Sequence, residues 1–257
     1  MMKMSIMNRL RKGHGCPMAM VFLLMLSFSL VSCDKRNIHQ VVKEMAEAPV
    51  DTTGFVERSM HTNPFSTVDI DCFADVTYHQ TAMDGEHLIV MKAPPKVLGN
   101  LDVAVEDGDL VLSVDRRYRM PDKAVAVVEI YAPFVNSFTL DGGKCLRLGN
   151  MTLTSPLELI LHGNVGAITA DSMSVHELSL SLEGSGSYDL KHLVTGDLRS
   201  KTNGNGNIYI TGNCHSASFS VKGNGHVDAT GLVSETPIER SVSGKGYVVI
   251  ESAKKKK

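Results

Sequence analysis

The chain has 257 residues, 43% hydrophobic and 5% aromatic, with 22 glycines, no tryptophan and a formal net charge of −2 at pH 7. That balance offers no basic face of the kind nucleic acid requires, and few aromatic rings on which sugars could stack. Five cysteines at wide, irregular spacing make neither a disulfide framework nor a CxxC metal pair.

Residues 1–32 read as a targeting segment. Lys3, Arg9, Arg11 and Lys12 form a basic start, and Met18 to Leu30 is an apolar run too short to cross a bilayer comfortably. The run ends in Leu30-Val31-Ser32-Cys33, which resembles the lipobox of bacterial lipoproteins. The resemblance implies that Cys33 carries the lipid and that the chain sits in the cell envelope, anchored to the outer membrane on its periplasmic or its surface face. A plain secretory signal is the alternative. Cleavage removes four basic residues and no acidic one, leaving 26 − 4 = 22 Lys and Arg against 28 Asp and Glu, a net of −6.

Residues 33–54 are rich in charge and read as a tether, with Ile38, Val41, Val42 and Met45 at loose helical spacing. The folded domain is expected over 55–253, with a solvated basic tail at Lys254 to Lys257. From Phe65 to Ala132 apolar residues alternate with period two: Val68, Ile70, Cys72; then Val76, Tyr78; then Leu88, Val90. LDVAV and LVLSV flank Glu106-Asp107-Gly108-Asp109, a tight-turn sequence that predicts a hairpin. Such one-sided strands must bury their apolar faces against something, and the repeats that follow are expected to supply the partner surface.

From about 136 to 251 the sequence repeats. Glycines at 142, 163, 184, 204, 223 and 244 are spaced by 21, 21, 20, 19 and 21 residues. Two positions before them stand Leu140, Leu161, Leu182, Thr202, Val221 and Val242; four before stand Phe138, Leu159, Leu180, Ser200, Phe219 and Arg240. Four positions after stand Leu146, Tyr188, Ile208, Val227 and Val248, with Ile168 one place later. Strand, glycine corner, strand and connection make one coil of a β-solenoid, and six coils about 4.8 Å apart would form a rod roughly 25–30 Å long. Gly142, Gly163, Gly184, Gly204, Gly223 and Gly244, followed by Gly186, Gly206, Gly225 and Gly246, are the structural corners. Positive φ is the expected reason for them.

These corners, EGSGSY, NGNGNI, KGNGHV and SGKGYV, together with the order FSTVDIDCFADVTYHQ, LDVAVEDGDLVLSV, VEIYAPFVNSFTLDG, resemble the head GIN domain of autotransporter adhesins. This is a domain of unknown function found in secreted and lipid-anchored proteins of Bacteroidota. The resemblance covers about residues 55–251. It implies an all-β fold, a right-handed β-helix-like solenoid preceded by short strands and a hairpin, at or near the cell surface. It supplies no catalytic residues.

Site chemistry is sparse. The GxG corners lack the Gly-Lys-Ser/Thr of a phosphate loop, and Asp does not recur after them as in calcium-binding β-rolls. Asp69, Asp71 and Asp75 are the remaining calcium candidates, against a reading as solubilising carboxylates. His162, His192, His215 and His226 lack helical zinc spacing and read as solvated surface residues. Cys72, Cys145 and Cys214 admit either one disulfide or three buried thiols. The candidate binding surface is the row of corner residues Asn164, Ser185, Asn205, Asn224 and Lys245, with Tyr209 and Tyr247 at outward parity. No metal, cofactor or nucleic-acid partner is expected. The reading is a non-enzymatic binding scaffold for a protein or glycan, adhesin-like; a carbohydrate-processing enzyme or accessory on a β-helix, or a purely structural envelope protein, are the alternatives.

Overall fold

The computed structural model describes residues 48–251 apart from 116, 119–124, 164 and 165. Cys33, most of the tether, Asn164 and the lysine tail lie outside the described residues. The elements are β1 (Val56–His61), β2 (Thr67–Asp71), β3 (Ala74–Gln80), β4 (Leu88–Ala93), α1 (Pro95–Leu98), β5 (Leu101–Glu106), β6 (Asp109–Val114), β7 (Ala126–Ala132), β8 (Ser137–Asp141) and β9 (Cys145–Leu148). There follow β10 (Met151–Leu153), β11 (Leu157–Gly163), β12 (Ala167–Ala170), β13 (Met173–Gly184), β14 (Ser187–Gly204), β15 (Asn207–Gly223), β16 (His226–Ser234), β17 (Glu239–Gly244) and β18 (Tyr247–Ile250).

The repeats wind into a three-sided β-solenoid. One side is made of strands ending in the corner glycine, the second of strands leaving it, and the third of short segments around Met151, Met173, Leu193 and Gly212. β14 and β15 each run continuously through all three sides. Neighbouring coils pair in parallel: Leu140 with Leu161, Leu161 with Leu182, Leu182 with Thr202, and Thr202 with Val221. The second side pairs Leu146 with Ile168, Tyr188 and Ile208 in turn, so the one-residue displacement of Ile168 is a lengthened corner. Six corner glycines bound five full turns, which is why the rod has about five coils where six were expected.

Apolar columns explain the stability of the stack. Phe138, Leu159, Leu161, Leu182, Tyr188 and Ile208 are fully buried, and each large side chain so removed from water contributes roughly 1.5–3 kcal/mol. Tyr188 stays in the core because its hydroxyl reaches the carbonyls of Leu159 and Ser181 at 2.9 and 2.7 Å. Burial pushes its phenol well above the ordinary range. The column ends at Arg240, one step beyond Phe219, where an exposed charge sits on the last rung. Such a charge discourages further strand pairing.

The repeats do supply the N-terminal strands with a partner, through edge-to-edge pairing of β2 with β8 and β3 with β9. The N-terminal strands extend the same stack. β2 lies between β6 and β8, all parallel, and β3 lies between β7 and β9. The first coil in sequence is therefore the second in space, since the chain leaves it, makes β4 to β7, and returns to place β8 on its other side. β4 and β1 close that end by antiparallel pairing. The hairpin of β5 and β6 forms as expected, with Asp107 and Gly108 both at positive φ, 52° and 87°. The Pro94-Pro95 interruption is α1, a single turn whose Val97 and Leu98 are buried.

Candidate functional site

The corner glycines serve two separate purposes. Gly184 has φ 111°, in the left-handed region, and its N–H neighbours extend the ladder: Ser185 N–H donates to Gly163 O at 3.0 Å. Gly186 is not at positive φ. A Cβ there would lie 2.6 Å from a Leu161 methyl and 3.0 Å from Gly166 O, so the close approach of adjacent coils admits a side chain only if its neighbours shift. The corner residues between them line up along the rod. Asn205 and Asn224 are exposed and joined, Ser185 is half-buried, and Lys245 is exposed on the last coil.

The outer surface of the second side is the other feature. Because Ile208, Val227 and Val248 point inward, Tyr209, His226 and Tyr247 point outward, and the in-register stack brings them together. Ring centroids are 5.9 Å apart between Tyr209 and His226, and 4.0 Å between His226 and Tyr247 in an edge-on arrangement. Asn207 pairs with His226 and Asp228 pairs with Tyr209 in the ladder, so an amide and a carboxylate frame the rings. Burial first, then the carboxylates of Asp228 and Asp189 with Tyr247 between them in weight, push the Tyr209 phenol up to about 12. Sequence reasoning had the two tyrosines but left His226 among solvated histidines. Its place in the column that also holds Tyr247 was the signal that could have found it.

Toward the other end of this surface, Asp75 is buried between Lys144 and Arg147; Lys144 Nζ lies 2.8 Å from its carboxylate, and Arg147 is also paired with it. Burial lowers the Lys144 pKa. Asp75 is thus committed to two cations, and no group of three or more His, Cys, Asp or Glu side chains suited to a metal is present among the described residues. His79 and Tyr131 stack here at 4.6 Å, a pair the sequence did not suggest because 52 residues separate them. Cys72, Cys145 and Cys214 are buried thiols with no disulfide among them. On the first side, a depression of about 250 Å³ over Ser218, Ser220 and Ser241 is edged by Arg199, Lys201 and Glu239.

The family model described as "Putative auto-transporter adhesin, head GIN domain" matches residues 64–256. The chain belongs to the head GIN domain family. A solved structure of a "putative adhesin" from Bacteroides fragilis is similar at 21% identity, covering 76% of this chain and 95% of that one, with a TM-score of 0.60. A "putative adhesin" from Parabacteroides distasonis aligns at 17% identity over 76% and 81%, TM-score 0.66. A "putative lipid binding protein" from the same species aligns at 15% over 77% and 96%, TM-score 0.58. At these identities the likeness establishes the head GIN fold alone. No curated protein matches the chain. The family is described as adhesin-like and of unknown function, which points to a cell-surface or envelope protein rather than to an enzyme class.

Proposed function

We propose that this head GIN domain is a non-enzymatic binding module of the cell envelope, anchored through a lipid on Cys33, which recognises a glycan through the outer surface of its second side. The observation that carries this reading is the row Tyr209, His226, Tyr247, three rings contributed by three successive coils. Apolar faces of sugar rings pack on aromatic side chains, while Asn207 and Asp228 supply a donor and an acceptor for hydroxyl groups. The corner residues Ser185, Asn205, Asn224 and Lys245 form a polar margin to the same surface. Adhesion is one consequence of such binding when the lipid places the rod on the outside of the cell.

The test is a glycan array probed with the full chain and with Tyr209→Ala and Tyr247→Ala. Binding to a defined set of neutral oligosaccharides, lost in both variants, is the expected result. Binding unchanged by both substitutions, or no glycan bound at all, would remove the reading. Turnover of any oligosaccharide, abolished by one point substitution, would favour a carbohydrate-processing enzyme instead.

A further inference from the structure

The first side carries opposite charges at its two ends. Its strands stack in the order β5, β6, β2, β8, β11, β13, β14, β15 and β17. The first six of these contain no Lys or Arg, and their outward face shows Asp69, Asp71, Asp141, Glu158 and Glu183. Over the five residues before each corner, the last three strands present Arg199, Lys201 and Lys222 outward, with Glu239 as their only acid. Arg199 is already paired at the margin with Glu177 at 3.3 Å and Asp197 at 3.6 Å.

Register keeps the remaining charges apart within the molecule. Asp141, His162, Glu183, Asn203 and Lys222 form one column, so the lysine stands two coils from the nearest carboxylate in it. Among the described residues, Asp71, Asp141, Glu158, Glu183, Lys201 and Lys222 form no ion pair. Short side chains lie between them, Ser179 and Ser181 on β13 and Ser218 and Ser220 on β15, so a second sheet can approach closely. We propose that the first side is the interface of a homodimer, in which a second copy lies antiparallel and sets its acidic end on the basic end of the first.

A two-fold axis parallel to the strands, between β11 and β13, generates this arrangement. It keeps each residue's place along its strand and sets β13 on β11, β14 on β8 and β15 on β2. Lys222 then meets the partner's Asp71, Lys201 meets the partner's Thr139 between two carboxylates, and Glu183 meets the partner's His162. Each contact occurs twice. Eight overlapping strands about 4.8 Å apart, five residues of about 3.3 Å wide, cover roughly 650 Å² per partner, a little under the roughly 800 Å² of a standard interface. The rim sets Glu239 against the partner's Asp109, which favours a modest affinity. The second side stays open on both copies, so the dimer does not rest on the ligand there being a glycan.

Sedimentation equilibrium of the full chain in a density-matched non-ionic detergent tests the interface. The parent should be dimeric at about 50 mM salt and dissociate at about 1 M, where screening cuts the reach of charge to about 3 Å. Lys201→Glu/Lys222→Glu turns the basic end acidic, and Asp71→Lys/Asp141→Lys cancels most of the charge at the other end. Each should weaken the dimer about tenfold or more. The quadruple variant exchanges the charges of the two ends and should dimerise within about threefold of the parent. All four positions are exposed, and a common circular dichroism spectrum checks that the variants fold. A parent that is monomeric at low salt, or a dimer indifferent to salt and to both double variants, would overturn the proposal. So would a quadruple variant no tighter than the doubles, because the loss would then not come from charge pairing across the face.

Discussion

The side-chain amide of Asn224 donates to the side-chain oxygen of Asn205 at 2.9 Å, one coil below it. Nineteen residues apart in sequence, the two are adjacent rungs, held by backbone bonds from Asn205 N–H to Gly184 O and from Asn224 N–H to Gly204 O. Asn205 and Asn224 therefore form a stacked amide pair of the kind that stabilises parallel strands. Both side chains are exposed, so the coupling should be small. A double-mutant cycle of Asn205→Ala and Asn224→Ala in urea should give about 0.5 kcal/mol. A coupling of zero would reduce the ladder to coincidental alignment.

Gly206 tests whether the second glycine of each corner is a matter of space. An added Cβ would lie 2.7 Å from Gly186 O and would also strike the Leu182 methyls. Gly206→Ala should destabilise the domain by about 1–3 kcal/mol, the usual cost of overpacking. Gly99→Ala, whose Cβ would meet only Pro95 O at 3.4 Å and Lys96 O at 4.0 Å, should be close to neutral. Urea midpoints of the two variants check the contrast.

Thr202 stands in a core column otherwise filled by Leu and Val, 2% exposed, and its hydroxyl has no hydrogen-bond partner among the described residues. Thr202→Val keeps the shape and removes the stranded polar atom, so it should stabilise by about 1 kcal/mol. Thr195, also buried, has the carbonyls of His176 and Asp197 at 3.4 Å, and Thr195→Val should give no such gain. Denaturation curves that rank the two variants the other way would contradict the assignment.

Tyr209 predicts an alkaline transition. Its folded-state phenol is pushed up to about 12, above the unfolded value of about 10. Between those values the unfolded chain loses the proton first. The contribution of this group is therefore complete below about pH 10 and is lost as pH rises toward about 12. Tyr209→Phe should flatten part of the fall in stability across that window, and phenolate absorbance should show one fewer late-titrating group. An unchanged titration would mean that the ring is not packed as described.

The columns were legible because each coil repeats the same inward positions, so alignment on one glycine was enough to pair Leu161 with Leu182 and Ile208 with Val227. The need for two glycines was read only as backbone freedom. Gly186 shows that half of it is the distance between coils, which no single corner reveals. The order of β2 and β8 was not legible either, because parallel pairing across 70 residues leaves no local mark comparable to the Asp107-Gly108 turn. His226 was missed for a related reason. Its aromatic neighbours are 17 and 21 residues away, and only the register of the stack makes them neighbours.

The central claim is that recognition belongs to the outer surface of the second side. Backbone amide shifts of the isotope-labelled full chain, recorded while an oligosaccharide selected on the array is added, test it most directly. Perturbations should cluster at Asn207 to Tyr209, His226 to Asp228 and Tyr247 to Val249, and vanish in Tyr209→Ala/Tyr247→Ala. Perturbations centred instead on Arg199, Lys201, Ser218 and Ser220, persisting in that double variant, would contradict the account.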